Sequence, residues 1–315
     1  MTSLSNLTTM RVGGQPKELL VASNHAELLA GAVKLWAETD NWVVLGGGSN
    51  IVFADDVSDL SVLLVQSKGI EDLGSGRVRV QAGQDWNELV LYACNKGWAG
   101  IESLAGIPGT VGAAPIQNIG AYGQEVSSTI TSLEFLDYKT GELQILSNED
   151  CSFSYRDSAF KKGKQGVISW VEFQFGEESS SSLLTKASDV ISQRTAKGMV
   201  LDSEDHDTWS CGSFFTNPMV SESFARTLPS DAPQWEVDND LVKLSAAWLI
   251  ENAGLTKGFR LGNSEAAISN KHALAITNRG NATADQVLEL ARFIQTQVSN
   301  KFGINLVPEP NLIGF

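Results

Sequence analysis

The spacing of hydrophobic residues predicts a mixed α and β protein. Apolar positions after Asn24 recur at helical spacing and predict a helix through Trp36. The apolar runs WVVL, IVF and SVLLV that follow are typical of short buried strands. RVRVQAG alternates as a half-buried strand does, and residues 85–96 predict a second helix closed by Gly97.

Further elements are predicted beyond residue 130. LEFLDY, ELQILS and GVISWVEFQF predict a β-meander, and the serine-rich EESSSSLLTKASD predicts a mobile linker. VKLSAAWLIENAG predicts a helix over residues 242–253, and HALAIT predicts a strand. The last helix begins at a capping-box pattern of Thr283 and Gln286 and continues with apolar residues at helical spacing to Val298.

Size and charge narrow the class of protein. At 315 residues the chain is too long for one compact core and suits two or three modules. The formal net charge of −14, without a Lys/Arg run, argues against a nucleic-acid or anionic-membrane partner. The first ten residues lack the pattern of a secretory signal, and no apolar stretch approaches the roughly 18 residues of a membrane span. Three scattered cysteines and three histidines predict neither a disulfide framework nor a metal site.

Two glycine-rich segments are candidates for ligand contact. LGGGSN, residues 45–50, has Ile51 where G-x-G-x-x-G needs its last glycine, and no helix follows, so we exclude a Rossmann site. It predicts either a hairpin turn or a nest of backbone N–H groups for a pyrophosphate, with Ser49 and Asn50 as further donors. The second segment, residues 105–123, carries five glycines and two prolines and is by itself equally a functional loop or a crossover. Two such segments suit one extended ligand with the length of a flavin dinucleotide.

Three short motifs carry candidate catalytic side chains. Arg156 in YRDSAFK has the rigid fork of donors that binds a carboxylate, and a surface pair with Asp157 is the alternative. Ser213 in CGSFFTNP is a poor candidate for a hydrolase nucleophile, because Phe215 occupies the last glycine position of G-x-S-x-G. Two phenylalanines would instead keep water from the hydroxyl, which suits a proton donor. Glu309 in LVPEPN lies between two prolines that fix its backbone, although a lone carboxylate near a C-terminus is ordinarily exposed.

Six motifs in order resemble the UDP-N-acetylenolpyruvoylglucosamine reductase family: LGGGSN, GIESLAGIPGTVGAAPIQNIGAYG, YRDSAFK, GSFFTNP, KLSAAWLIENAG and NLVPEP. The resemblance implies an α+β protein with a vanillyl-alcohol-oxidase-like (PCMH-type) FAD-binding fold of two subdomains plus an α+β substrate-binding domain. The implied segments are FAD-binding subdomain 1 at 1–67, FAD-binding subdomain 2 at 68–195, the substrate-binding domain at 196–303 and a C-terminal return segment with Glu309 at 304–315.

The resemblance also implies an activity. NADPH would reduce FAD, and the flavin would pass hydride to the enolpyruvyl ether of UDP-N-acetylglucosamine, which gives UDP-N-acetylmuramate for peptidoglycan synthesis. Arg156 and Glu309 would stabilise the enolate charge, and Ser213 would protonate the neighbouring carbon. The enzyme is expected to be a cytoplasmic monomer without nucleic-acid, membrane or metal partners, tied through the cell wall to cell shape, cell division and the cell cycle.

Matching the family motifs position by position assigns binding roles as well. The implied sugar-nucleotide contacts are Tyr155, Lys197, Asn217 and His272. The implied FAD contacts are Gly46, Gly47, Gly48, Ser49, Asn50, Gly109, Thr110, Gly112, Ile119, Gly123 and Arg194.

Two features depart from the family pattern. FGEESSSSLLTKASD contains no tyrosine, whereas members with a longer segment carry a loop tyrosine that closes over the uridine diphosphate. Ala113 and Ala114 stand where some members have flavin-contacting serines, so backbone contacts are expected to do more there. The alternatives left open are another FAD oxidoreductase of this fold with a different substrate, and a catalytically inactive nucleotide-binding protein.

Overall fold

A computed structural model describes residues 2–237 and 240–315. The chain folds as two compact units that interleave along the sequence. Unit 1 contains Thr2 and residues 16–48 and 58–195, and unit 2 contains residues 3–15 and 49–57 with the described residues from 196 to 315. The four consecutive segments expected from the sequence divide the chain by order alone and stay a prediction.

Unit 1 begins with a three-stranded parallel sheet in the order Glu18–Ala22, Ser61–Val65, Trp42–Leu45. Parallel strands of one sheet need a crossover connection. The helix His25–Glu38 provides it between the two outer strands, Glu18–Ala22 and Trp42–Leu45. The side chain of Asn24 accepts a hydrogen bond from the Glu27 N–H at 2.9 Å and caps this helix, which confirms its predicted start. Helix packing then buries Leu28, Ala32 and Leu35.

A five-stranded antiparallel sheet follows in unit 1, and it includes the predicted meander. Its order is Leu143–Ser147, Ile130–Asp137, Gly166–Gln174, Arg77–Gln81, Ile70–Gly74. The helix Trp86–Lys96 begins at the cap residue Asp85 and ends at Gly97, whose φ of +75° is the left-handed conformation expected of a closing glycine. Two-residue strands pair as Trp98–Ala99 with Gly176–Glu177 and as Gly120–Ala121 with Gln124–Glu125.

The serine-rich segment after the meander is not a mobile linker, so that prediction was wrong. It forms the helix Ser180–Ala196, which buries Leu183, Ala187 and Val190 in the core of unit 1. These three positions are spaced by four and three residues and therefore share one helical face. Burial of that face outweighs the weak helix propensity of the serines.

The described residues of unit 2 form a three-stranded antiparallel sheet and three α-helices. The sheet order is Met219–Ser221, Leu241–Leu244, Gln234–Val237, and the helices are Glu222–Ala225, Ala246–Asn252 and Ala284–Phe302. Two-stranded pairings join Ala266–Ile268 to Ile276–Asn278 antiparallel and Ile51–Phe53 to Asn311–Ile313 parallel. Short 3-10 helices complete the described chain at Leu4–Leu7, Glu102–Leu104, Val111–Gln117, Val126–Ser128, Glu149–Cys151 and His206–Thr208.

Two predicted elements of unit 2 need correction. The first part of the predicted helix at 242–253 is a strand, in which Val242 and Leu244 are buried with a period of two. The helix itself starts only after Ser245. The Ser245 hydroxyl accepts the Trp248 N–H at 3.2 Å and thereby sets that start. The predicted strand HALAIT contributes only its end to Ile276–Asn278, because the preceding residues turn back through a hydrogen bond from Ser269 N to Ala275 O.

The final helix is as predicted. Thr283 and Gln286 form the reciprocal capping box at the start of Ala284–Phe302. Its apolar face lies in the core of unit 2, with Val287, Leu290, Ala291, Ile294 and Val298 buried. Of the helices in the described part of the chain, none has the length and apolarity that a membrane crossing requires.

Candidate active site

The two glycine-rich segments meet in unit 1. A Cβ on Gly47 would lie 2.7 Å from the Gly109 Cα, and one on Gly46 would collide with the Thr110 hydroxyl oxygen. Gly109 itself has a φ of +136°, which side-chain-bearing residues rarely adopt. Backbone therefore packs directly on backbone here. The wall where the two segments meet therefore requires glycine at positions 46 and 47, and a glycine-rich backbone of this kind suits a ligand held by main-chain N–H groups.

The second segment is anchored to the start of the helix Trp86–Lys96. Trp86 N donates to Gly109 O at 3.1 Å, and Gly112 N donates to Ala82 O at 2.8 Å. A Cβ on Gly112 would lie 2.5 Å from the Ala82 Cβ, so this glycine has a packing reason of its own. These backbone hydrogen bonds hold the middle of the segment in place.

A hairpin carries Arg156. Ser154 and Asp157 exchange backbone hydrogen bonds of 3.0 and 3.1 Å, which places Tyr155 and Arg156 at the tip of a two-residue turn. Arg156 has a φ of +54°, an uncommon conformation for arginine, and its Nη2 donates to Gly120 O at 2.6 Å. The guanidinium also lies 5.4 Å from the centre of the Tyr155 ring. The predicted carboxylate-binding arginine is thus bonded to the glycine-rich segment 105–123, and Asp157 pairs with Lys162.

A second arginine contributes positive charge near Arg156. Burial lowers the pKa of the Arg194 guanidinium; Tyr122 opposes this shift, and the charge of Arg156 adds to it. Arg194 lies in the last turn of the helix Ser180–Ala196. Two guanidinium groups that repel each other in one region make that region favourable for an anionic ligand.

The other two predicted catalytic residues lie in unit 2 on adjacent segments. Thr216 N donates to Val307 O at 3.0 Å, and Glu309 N donates to Phe214 O at 2.9 Å. Phe215 and Pro308 form the bridge between these two bonds. Glu309 therefore lies opposite Phe214, the residue after Ser213, in an antiparallel pairing, and Phe214 and Phe215 are fully buried.

Asn50 ties the first glycine-rich segment to this pairing. Its Nδ2 donates to Glu309 O at 3.3 Å, and its backbone O accepts from Asn311 N at 3.0 Å. Ser49 also belongs to unit 2, whereas Gly46, Gly47 and Gly48 belong to unit 1. The sequence motif LGGGSN thus spans both units, and its asparagine fixes the backbone on both sides of Pro310.

The predicted sugar-nucleotide residues of unit 2 occupy different settings. Asn217 Oδ1 accepts the Ala246 N–H at 3.0 Å at the start of the helix Ala246–Asn252, so part of its side chain has a structural role. Lys197 is exposed and His272 is half-buried. His272 N donates to the Ser269 hydroxyl at 3.2 Å within a compact loop at residues 269–272.

Asp207 organises that loop and was missed by sequence reasoning. The carboxylate is nearly buried, and it accepts hydrogen bonds from Ser269 Oγ and Asn270 N, both at 3.0 Å. Arg279 Nη1 lies 2.8 Å from the same carboxylate. A Cβ on Gly198 would lie 3.3 Å from Asp207 O, so the chain just after Lys197 packs on the same residue. Because the partners of the carboxylate lie more than 60 positions away, no local sequence pattern indicates the role of Asp207.

Asn118 was also missed, although it lies inside a motif that sequence reasoning singled out. It has no exposed surface and a φ of +47°. Asparagine tolerates this conformation better than most residues, which was the one available signal. The neighbouring positions that the family motif indicates are Ile119, which is half-buried, and Gly123, which is exposed at a hairpin tip with a φ of +83°.

The cysteines are unsuited to nucleophilic chemistry. Cys94, Cys151 and Cys211 are free and buried. Burial raises their thiol pKa values to about 11, about 12 and about 12 respectively. The Cys211 thiol donates to Ile51 O at 3.4 Å. Cys211 is thus a packing residue in the core of unit 2.

Two family models match separate parts of this chain, and similar proteins match nearly all of it. Residues 203–313 match the family model of the C-terminal domain of UDP-N-acetylenolpyruvoylglucosamine reductase, and residues 16–147 match the FAD binding domain. A protein from Leifsonia xyli named UDP-N-acetylenolpyruvoylglucosamine reductase is 45% identical, and the match covers 99% of this chain and 98% of that protein. A protein of the same name from Streptomyces coelicolor is 42% identical, and the match covers 99% of this chain and 89% of that protein. The crystal structure of UDP-N-acetylenolpyruvylglucosamine reductase (MurB) from Thermus caldophilus matches 99% of this chain and 97% of its own with a TM-score of 0.74 and 28% identity.

The expected FAD-binding fold and the family resemblance are thereby confirmed. FAD is the cofactor that the matched domain binds, and the wall where the two glycine-rich segments meet suits such a ligand. The chain is an FAD-dependent oxidoreductase and belongs to the UDP-N-acetylenolpyruvoylglucosamine reductase family.

Proposed function

We propose that this enzyme reduces the enolpyruvyl ether of UDP-N-acetylglucosamine to UDP-N-acetylmuramate, with NADPH as the source of hydride. The names of the similar proteins support the substrate. The observation that carries the proposal is the backbone pairing between the segment of Ser213 and the segment of Glu309, because this chemistry needs a proton donor near a charged group. A role in peptidoglycan precursor synthesis, in the cytoplasm and as a monomer, follows from the family resemblance.

Bound FAD would supply the hydride that the enolpyruvyl group accepts. The main chain at Gly46, Gly47 and Gly109 would hold it, because the two glycine-rich segments meet there and glycine backbone can present N–H groups to a pyrophosphate. Arg194 would add positive charge for the same anionic group. Gly48, Ser49, Asn50, Thr110, Gly112, Ile119 and Gly123 complete the proposed set.

Arg156 would bind the substrate carboxylate. An enol ether conjugated to a carboxylate accepts hydride at its terminal carbon only if that carboxylate takes up the developing enolate charge. The guanidinium is a planar fork of N–H donors. Its hydrogen bond to Gly120 O and the positive φ of Arg156 in a tight turn hold it in place. A fixed cation binds the enolate form more strongly than the ground state, which is the requirement for catalysis.

Ser213 would then protonate the carbon next to the carboxylate. A serine hydroxyl is a weak acid in water, so its surroundings must help. Phe214 and Phe215 exclude water from one side of the Ser213 backbone, and the half-buried Glu309 supplies a charged neighbour. Correct positioning of the donor is worth roughly 10²–10⁴ in rate for general acid catalysis.

Lys197, His272, Tyr155 and Asn217 would bind the uridine diphosphate and the sugar. Lys197 is exposed and carries the cation that a diphosphate requires. Most of the segment FGEESSSSLLTKASD, which lacks the loop tyrosine, lies in the helix Ser180–Ala196. We therefore propose that this enzyme closes over the diphosphate without a tyrosine from that segment.

The deciding experiment is an anaerobic titration followed in the visible flavin band. NADPH should bleach the FAD-loaded protein, and the enolpyruvyl ether of UDP-N-acetylglucosamine should restore the band in stoichiometric amount. A bleach without recovery would exclude this substrate and favour another FAD oxidoreductase of the same fold. If NADPH fails to bleach the flavin band, but dithionite bleaches it and the substrate then restores it, NADPH would be excluded as the reductant and the substrate would stand.

A further inference from the structure

The side chain of Asn118 joins the glycine-rich segment to the hairpin that carries Arg156. Its Nδ2 donates to Ser154 O at 3.1 Å and to Glu125 Oε2 at 2.8 Å. Its Oδ1 accepts the Ser127 N–H at 3.1 Å. Asn118 itself is fully buried, so any lost partner would leave a buried polar group unsatisfied.

The acceptor of the first bond is the residue that closes the Arg156 turn. Ser154 and Asp157 pair through two backbone bonds, and Arg156 between them has a φ of +54°. A non-glycine residue keeps such a conformation only when its surroundings determine it from several sides. Asn118 contributes one of these constraints at the base of the turn.

Two more hydrogen bonds join the same two segments. The buried Ser158 hydroxyl donates to Ile116 O at 2.5 Å, and Arg156 Nη2 donates to Gly120 O at 2.6 Å. The partners at residues 116, 118 and 120 are alternate positions of one short stretch. A Cβ on Gly120 would lie 3.1 Å from Arg156 Nη1, so the stretch also leaves room for the guanidinium.

We propose that Asn118 is a positioning residue that orients the Arg156 guanidinium toward the carboxylate of the substrate. The proposal rests on the proposed function, in which Arg156 binds that carboxylate. It assigns to the buried asparagine a role in the reaction, exerted through Ser154 and the Arg156 turn. The segment that contains proposed FAD contacts therefore also sets the position of the arginine.

Asn118→Asp is the first variant, because aspartate keeps the size and tolerates positive φ while replacing the donor by a carboxylate oxygen. That oxygen would face Glu125 and the Ser154 carbonyl and repel both. We expect flavin reoxidation by the enolpyruvyl substrate to slow by about tenfold to a hundredfold, as a small misplacement of a catalytic group does. Reduction by NADPH should change by less than about threefold, since Arg156 has no assigned part in that step.

A double-mutant cycle separates positioning from a general loss of structure. In an Arg156→Ala background, Asn118→Asp should slow reoxidation by no more than about twofold, because the group it orients is gone. In a Ser213→Ala background its full effect should persist. Equal effects of Asn118→Asp in the presence and absence of the arginine would overturn the proposal.

Asn148→Asp is the matched control. The Asn148 amide also donates to two backbone oxygens, Ser127 O at 2.8 Å and Ile130 O at 2.9 Å, but not to the Ser154 carbonyl. It should lower the melting temperature without selective loss of reoxidation. If Asn118→Asp fails to fold, Asn118→Gly keeps the positive φ without the new charge and enters the same cycle.

A readout independent of substrate distinguishes this proposal from the proposed function. In a crystal structure of the Asn118 variant, the Arg156 guanidinium should have left Gly120 O. An unmoved guanidinium would overturn the positioning role, whatever the kinetics show. A wild-type protein that the enolpyruvyl substrate cannot reoxidise would instead refute the proposed function, and a displaced arginine would still support the positioning role.

Discussion

The backbone N–H of Glu309 donates a hydrogen bond to the carbonyl of Phe214 at 2.9 Å, although 95 positions separate the two residues. Backbone hydrogen bonds therefore fix the spacing between the segment that carries Ser213 and the segment that carries Glu309. The bridge between Phe215 and Pro308 continues the pairing. If Ser213 is the proton donor that we propose, a donor and a carboxylate on segments paired in this way need little reorganisation when charge develops on a substrate.

The first prediction concerns the Ser213 hydroxyl. Ser213→Ala should leave flavin reduction by NADPH nearly unchanged and slow reoxidation by the enolpyruvyl substrate by about a hundredfold or more, because the proton donor is lost. Stopped-flow absorbance of each half-reaction provides the measurement. Thr216→Val is the control, since it removes a hydroxyl from the same pairing, one that donates to Val307 O at 3.4 Å. Equal reoxidation rates in Ser213→Ala and wild type would remove the assigned role.

The second prediction concerns the wall between the glycine-rich segments. Gly47→Ala would put a Cβ 2.7 Å from the Gly109 Cα, and neither backbone can yield without moving the segment. We expect FAD affinity to fall about tenfold to a hundredfold, in line with an overpacking cost of about 1–3 kcal/mol. Fluorescence titration of apoprotein with FAD measures it.

Gly176→Ala is the control for that substitution. Only the Ala99 carbonyl lies within 4 Å of the added Cβ, at 3.9 Å, so the site has room for it. Equal FAD affinity in the two alanine variants would contradict a cofactor role for the Gly46–Gly48 stretch.

The third prediction compares two neighbouring aspartates. Asp207 is buried and pairs with Arg279, whereas the ion pair of Asp205 with Lys271 is more than a third exposed on both sides. Asp207→Asn should lower the free energy of unfolding by about 2–4 kcal/mol, because it weakens a buried pair and leaves Arg279 uncompensated. It should also raise KM for the sugar nucleotide, since the loop with His272 loses its support.

Asp205→Asn should cost less than about 1 kcal/mol, because exposed ion pairs contribute little and asparagine caps a helix start as well as aspartate does. The hydrogen bond from Lys271 lowers the pKa of Asp205. A lowered carboxyl pKa contributes stability above the unfolded-state pKa that is lost as the pH falls through the folded value. Urea titrations of both variants at neutral and acidic pH would measure these differences, and similar losses at neutral pH would refute the contrast.

The fourth prediction concerns the three thiols. Burial raises their pKa values to about 11 or about 12, so the folded protein should react slowly with iodoacetamide at pH 8, and denatured protein should be labelled at all three cysteines. Because the raised pKa favours the neutral thiol in the folded state, this contribution to stability is full below the unfolded-state pKa of about 8.5 and is lost as the pH rises toward the folded value. Mass spectrometry counts the modified residues. Rapid labelling of Cys211 in folded protein would contradict its packing role.

Local patterns in the sequence determined the elements whose signals are self-contained. Asn24, Asp85 and the Thr283–Gln286 capping box mark helix starts with side chains that bond only a few residues away, so the sequence alone predicts them. The motifs around Arg156, Ser213 and Glu309 likewise predicted candidate chemistry from residue type and order. None of these predictions required knowledge of a distant contact.

Tertiary structure decided everything that depends on long-range packing. The helix Ser180–Ala196 exists because the core takes up Leu183, Ala187 and Val190, which local serine propensity cannot reveal. The roles of Asn118 and Asp207 depend on partners up to 72 positions away, a span given by Asp207 and Arg279. Composition identified the glycines as unusual, but only the folded chain shows which backbone each one must approach, because a close approach is a property of two segments and not of one.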